Sequence, residues 1–168
     1  DVKGNIGWRP AVYVPIRKQG SSMIPRPGED PSFDWKGKIP FEKMPFLYNP
    51  KKGYISTANN KTIGDDFPYY ISKLWGDPSR IEQINRRLDS MDNMTVEKMK
   101  SVQLDQTSPF AQEILPFIWL TETGEETGNL KRAYEFLKVW DGVEDVDSEA
   151  ALIFHATMRN LVLNLYGD

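Results

Sequence analysis

The spacing of apolar residues changes character part-way along the chain. Up to about residue 78 short extended stretches lie between turn residues; beyond it apolar side chains recur at helical intervals. Asp1-Val2-Lys3-Gly4-Asn5 has hairpin-turn chemistry, and Ala11-Val12-Tyr13-Val14 reads as extended. A turn placed there predicts that its missing return strand pairs with it in the intact protein, leaving an open edge otherwise. Residues 18–52 are punctuated by Pro and Gly. Ten of the 12 prolines precede Arg80, which argues against helix in that half. Gly53 then marks the start of a strand in which Tyr54, Ile55 and Thr57 favour extended backbone.

The second half predicts helices with identifiable starts. Asp77-Pro78-Ser79-Arg80 offers Asp as N-cap and Pro at the first helical position, and Ile81, Ile84 and Leu88 follow at helical spacing. Thr95 caps a helix opening with Val96-Glu97-Lys98-Met99. Ser108-Pro109 opens another with Phe110, Ile114 and Phe117 on one face, and Pro116 should kink or end it. Gly124-Glu125-Glu126-Thr127-Gly128 reads as an exposed connection to a helix marked by Leu130, Tyr134 and Leu137. Ser148 caps the last helix, apolar nearly all round from Ala150 to Leu165, a pattern that predicts burial inside something larger.

Composition narrows the function classes. The 168 residues suffice for one domain with a real core. A net charge of −3 without a basic run gives no reason to expect nucleic acid or an anionic membrane as partner. No stretch approaches the roughly 20 apolar residues of a membrane span, and nothing within these residues reads as a signal peptide, although a start in mid-motif without Met leaves an earlier one open. With zero cysteines there is no disulfide framework, thiolate metal site or Cys nucleophile. Phe33, Trp35, Phe41, Phe46 and Tyr48 lie among Arg17, Lys18, Arg26, Lys36 and Lys38, a mixture able to stack single-stranded nucleic acid. A long loop pinned by its rings over a core is the simpler account.

Two local rules are broken near residue 60 and residue 80. The stretch that begins at Gly53 runs into the polar pair Asn59-Asn60, and Arg80 puts a cation in a first helical turn, where the dipole disfavours it. Breaks of this kind are expected at functional sites. Asp65-Asp66 invites acid–base or metal chemistry, but adjacent acids before Phe67-Pro68 fit loop caps better. His155, the single histidine, sits among Leu152, Ile153 and Phe154 and reads as a core or interface residue.

The same residues carry a family pattern. Gly53-Tyr54-Ile55, Thr57-Ala58-Asn59-Asn60-Lys61, Asp65-Asp66-Phe67-Pro68-Tyr69 and Trp75-Gly76 through Pro78 to Arg80-Ile81 resemble the penicillin acylase (penicillin amidase) family of N-terminal-nucleophile hydrolases. The flanks agree in order: Asp1 to Trp8, Ile24 to Gly28, Trp35-Lys36-Gly37, Ile39 to Glu42, Gln103 to Ser108 and Trp140-Asp141-Gly142. The resemblance covers nearly the whole chain. It implies an internal fragment of the large (beta) catalytic chain of an α/β, four-layer αββα enzyme. Residues 1–78 would supply strands and loops to that core, and residues 79–168 a helical segment.

The implied activity is amide hydrolysis through an acyl-enzyme on an N-terminal Ser absent from these residues, so the fragment alone should be inactive. Asn59 holds the position of the family's oxyanion-hole Asn, with Asn60 holding the turn. Arg80 matches the active-site Arg that orients the site and sets its electrostatics. The expected partners are the rest of the same catalytic chain, the small (alpha) chain and a small-molecule amide. Export to the periplasm or outside and self-cleavage are also implied. No cofactor or metal is expected from these residues: some family members bind calcium, but Tyr69-Tyr70-Ile71 stand where an Asp ligand would be. A non-catalytic helical binding module, with the Asn pair and Arg80 merely capping structure, is the alternative reading.

Overall fold

A computed structural model describes residues 1–21 and 23–167. The chain divides into two units, residues 1–81 and 82–168. The division falls within the first of five α-helices.

The first unit is built from short pairings rather than an extensive sheet. Asp1 closes the N-terminal turn, its carboxylate accepting from the backbone N–H groups of Lys3 and Asn5 at 2.8 and 2.9 Å. The chain that leaves this turn forms β1 (Gly7–Trp8), which pairs antiparallel with β4 (Leu47–Tyr48). A second antiparallel pair joins β2 (Pro15–Arg17) to β3 (Trp35–Lys38), with an irregularity between Ile16 and Arg17. Short 3-10 turns at Pro31–Phe33 and Phe41–Lys43 connect them. Val14, Ile39 and Met44 form the small core, with Ile16, Tyr69 and Ile71 packed on it. Rings and cations pin the rest: Arg9 lies over Phe41 and Phe46, 4.4 and 4.7 Å from their centroids. The aromatic and basic residues of 18–52 are thus partly spent on one another, as Arg26 over Phe33 also shows.

Two expected strands are absent. Residues 11–14 precede the β2 ladder rather than forming it, and only Val14 is buried. Residues 54–57 join no ladder among the described residues. Strand propensity reports how side chains fit beside neighbouring strands; of residues 11–14 only Val14 extends the β2–β3 pairing, its carbonyl accepting from the Ile39 N–H at 2.9 Å, and residues 54–57 join no strand among the described residues. The αββα layering is likewise not formed by the described residues, which hold two two-stranded sheets and five helices.

The helices are α1 (Ser79–Asp89), α2 (Val96–Gln103), α3 (Pro109–Trp119), α4 (Gly128–Val139) and α5 (Glu149–Tyr166). Their starts follow the capping residues. Thr95, Ser108 and Ser148 each accept from the backbone N–H three residues on, satisfying a donor that a helix start leaves unpaired. In the second unit Phe154 is fully buried among Ala111, Leu115, Leu137 and Ala150. The Trp140 ring lies 5.5 Å from it, and Trp140 Nε1 donates to the Val143 carbonyl at 2.8 Å. Asp105 ties the α1 end to the loop before α3. Its carboxylate accepts from Gln83 Nε2 at 2.7 Å and from the Thr107 N–H and hydroxyl, and Arg87 Nε stands 3.4 Å away.

One expectation for the helices needs correcting. The buried face of α3 carries Ala111 and Leu115, with Ile114 and Ile118 beside them, whereas Phe110 and Phe117 are largely exposed. The small Ala111 lets the Phe154 ring approach, and Phe110 meets that ring at its edge, 5.9 Å away. Pro116 neither stops the helix at once nor sits at its end: α3 runs three residues further and closes with Leu120 N–H donating to the Pro116 carbonyl. On α5, only Ala150, Ala151 and Phe154 are buried; Leu152, Val162 and Leu165 are more than half exposed. None of the described helices is long and apolar enough to cross a membrane.

Candidate active site

The site is assembled from two segments of the first unit, residues 58–60 and 76–80. Ala58 is nearly buried and fixes the level of the loop. Asn60 reaches back over it: Oδ1 accepts from the Ala58 N–H at 3.0 Å, while Nδ2 donates to the Lys61 carbonyl at 3.0 Å. Both ends of the Asn60 carboxamide are thus used on backbone, which makes it the turn-holding member of the pair.

Between them Asn59 has a φ of +63°, in the left-handed region. Asn enters this region more readily than most residues because its short polar side chain bonds locally. The Asn59 carbonyl accepts from the Gly76 N–H at 2.6 Å. That contact brings the chain before α1 against residue 59.

Arg80 completes the arrangement from the first turn of α1. The helix start is organised by Asp77, whose Oδ1 accepts from the Ser79 N–H at 2.9 Å. Hydrogen bonds from Ser79, and after them the Arg80 charge, hold the Asp77 carboxyl below the usual carboxylate range. From there Arg80 Nη2 donates to the Ala58 carbonyl and to Asn59 Oδ1, both at 2.9 Å. One nitrogen carries two hydrogens, so both bonds are served.

A guanidinium has donors only, so the Asn59 atom facing it must be the oxygen. The amide orientation of Asn59 is thereby fixed, and its Nδ2 is turned away from Arg80. Among the described residues that NH2 group has no hydrogen-bond acceptor. Asn59 and Arg80 are both exposed. The geometry offers a neutral, oriented amide donor on an exposed residue beside a fixed positive charge.

Asp65 is exposed and ion-paired with Lys61, whose hydrogen bond lowers the carboxyl's pKa. His155 belongs to the second unit and is not a core residue. Its ring is about half exposed, Nε2 is 3.1 Å from Glu144 Oε1, and its plane meets Phe154 edge-on. Position 155 therefore faces outward from α5 while the adjacent Phe154 faces in. Among the described residues no three acidic or His groups stand together as metal ligands would. Gly76 was not singled out for a role from sequence, although a Gly between Trp75 and the Asp77 cap was the available signal.

Comparisons with known proteins agree on one family. The sequence profile described as penicillin amidase matches residues 1–168. The chain is 32% identical over 163 residues to penicillin acylase 2 proenzyme of Pseudomonas sp. (strain SE83), covering 96% of this chain and 21% of that protein. It is 33% identical over 149 residues to penicillin G acylase of Escherichia coli, covering 85% and 17%. With the acyl-homoserine lactone acylase QuiP of Pseudomonas aeruginosa it shares 26% identity over 176 residues, covering 98% and 21%. Among solved structures, the thermostable penicillin G acylase from Alcaligenes faecalis is similar with a TM-score of 0.60 at 24% identity, covering 88% of this chain and 27% of that one. The chain thus spans about a fifth of the length of the curated relatives it matches.

Proposed function

Because this chain belongs to the penicillin amidase family, we propose that it forms part of the catalytic chain of a hydrolase that cleaves a linear amide. Asn59 supplies an oxyanion-hole donor and Arg80 orients it. The nucleophile lies in another part of the polypeptide: a Ser hydroxyl at a chain N-terminus, with its own amine as base. Attack on the substrate carbonyl moves an electron pair onto oxygen, and Asn59 Nδ2 donates to that oxygen as its charge develops. Collapse of the tetrahedral species expels the amine and leaves an ester on the Ser. Water then hydrolyses the ester and releases the acid. The observation that carries this reading is the 2.9 Å bond from Arg80 Nη2 to Asn59 Oδ1, which commits the carboxamide's other end to donation.

Arg80 has a second effect in this scheme. A fixed cation near the nucleophile's amine disfavours its protonation and lowers its pKa toward a useful base. The substrate class follows from the relatives' names, penicillin acylases and acyl-homoserine lactone acylases, which share an acyl group joined to an amine. The remainder of the catalytic chain and a small chain complete the acyl pocket.

Asn59→Ala and Asn59→Asp in the full processed enzyme test the assignment. Alanine should lower kcat by about 10²–10³ with a smaller change in KM, because the bond strengthens only as the oxyanion forms. Aspartate keeps the Arg80 partner but faces the oxyanion with an acceptor, so it should be at least as inactive. Full activity in Asn59→Asp would end the donor assignment.

A further inference from the structure

We infer that Gly76 is a positioning residue for the Asn59 carboxamide, present because any side chain there would crowd residue 59 from behind. The inference rests on the proposed role of Asn59. Gly76 is not among the residues with positive φ, so no left-handed backbone calls for glycine there. Space is the reason for the glycine. A Cβ at position 76 would lie 3.1 Å from Asn59 Cβ, 3.1 Å from its carbonyl oxygen and 3.3 Å from its carbonyl carbon. These distances are tighter than ordinary van der Waals contact, and the atoms are two backbone atoms and the root of a side chain. None can rotate away.

Relief then requires the backbone of one of the two segments to move, and Asn59 carries all three of the atoms that are met. The 2.6 Å bond from Gly76 N–H to the Asn59 carbonyl ties the two segments at this point. On the other side the loop is held by Asn60 on the Ala58 N–H and by Arg80 on the Ala58 carbonyl. A methyl at 76 would push residue 59 against those restraints, and the carboxamide, which hangs from the displaced Cβ, would shift by a few tenths of an ångström. Gly53, by contrast, has open space around it and is required for a φ of +76°. The two glycines that flank the site serve different needs.

The test uses the full processed enzyme carrying Gly76→Ala, alone and in an Asn59→Ala background. A 1 Å misplacement of a reacting group costs about 10²-fold, so a shift of a few tenths should lower kcat by about 3–10-fold with KM nearly unchanged. Acting through Asn59, the substitution should cost nothing further once the Asn59 carboxamide is gone. A crystal structure of Gly76→Ala should show Asn59 Nδ2 displaced. Full kcat in Gly76→Ala, the same loss in both backgrounds, or an undisplaced Asn59 would each overturn the inference. If Asn59→Ala itself is fully active, the oxyanion reading falls, and the displacement of Asn59 still decides the role of Gly76. Should Gly76→Ala not fold, the double variant Asn59→Gly/Gly76→Ala removes the facing Cβ and loosens residue 59. Recovered folding supports the inference, and continued failure overturns it.

Discussion

Replacing Arg80 by Gln separates an orienting residue from a structural tie. The substitution removes two hydrogen bonds, to the Ala58 carbonyl and to Asn59 Oδ1. Each contributes about 0.5–1.5 kcal/mol net, at the lower end because Arg80 and Asn59 are exposed. Neutralising a cation in the first turn of α1 returns about 0.3–1 kcal/mol. The expected stability change is thus a loss of about 0–2 kcal/mol, a shift of a few degrees in Tm at most for a large enzyme. The activity change is read separately. Without the guanidinium the Asn59 carboxamide loses roughly 1 kcal/mol of preference for presenting Nδ2, a factor of about 5 in the ratio of its two orientations and so at most about 5-fold in the productive fraction. Measured on the plateau of the pH profile, where the amine is already deprotonated, kcat should fall by about 2–5-fold. It should fall by less than the 10²–10³ expected for Asn59→Ala, because the donor survives. At lower pH the loss should deepen, since removing the cation lets the amine's pKa rise. The assays are a thermal melt and kcat against pH on the full processed enzyme. A large drop in Tm with kcat preserved would show that Arg80 is only a tie. A plateau loss as great as that of Asn59→Ala would refute the orientation argument.

Two further expectations concern the second unit. Burial pushes the Asp105 carboxyl up, but hydrogen bonds from Thr107 and Gln83, with the Arg87 charge, outweigh it and hold the pKa below the ordinary 3.8. A depressed carboxylate contributes stability that is present above the unfolded pKa and lost as pH falls through the folded one. Asp105→Asn should therefore destabilise the protein by about 1–3 kcal/mol near neutrality, with the gap to the parent narrowing below about pH 4. Equal denaturant midpoints at pH 7 would contradict this. Phe154→Ala, at a fully buried ring, should cost about 3–5 kcal/mol, and a loss under about 1 kcal/mol in chemical denaturation would mean that the core closes over the site.

The helices were legible because their determinants are local. A Ser or Thr at a cap and apolar residues at helical spacing act within one turn, so Thr95, Ser108 and Ser148 could be placed from sequence alone. The α3 face was misjudged for a physical reason: Phe110 and Phe117 are larger than Ala111, but a close approach of Phe154 selects the smallest side chain. For His155, read as a core or interface residue, a helix apolar on all sides gives no phase to separate the two, and its exposure excludes only the core. Strands 11–14 and 54–57 failed since pairing depends on partners that propensity does not contain. At the site, Asn59 and Arg80 were singled out as broken local rules and as family positions. Their hydrogen bond spans 21 residues and no spacing argument reaches that far. Gly76 escaped notice because its requirement is an absence of atoms, which only coordinates reveal.

The left-handed backbone at Asn59 limits how this position can be varied. Most L-residues pay about 1–2 kcal/mol there, and Asn and Asp pay less. Of these two, only Asn carries a neutral N–H donor. Gln has the same functional group but an extra methylene and no short-range bond to offset the strain. A saturation library at position 59 would consequently be almost barren, its losers mixing lost chemistry with backbone cost. Variation that retunes the donor while keeping it has to come from its surroundings, at positions such as 60 and 80, whose own backbone is not left-handed. Directed evolution of this loop should accumulate substitutions around an unchanged Asn.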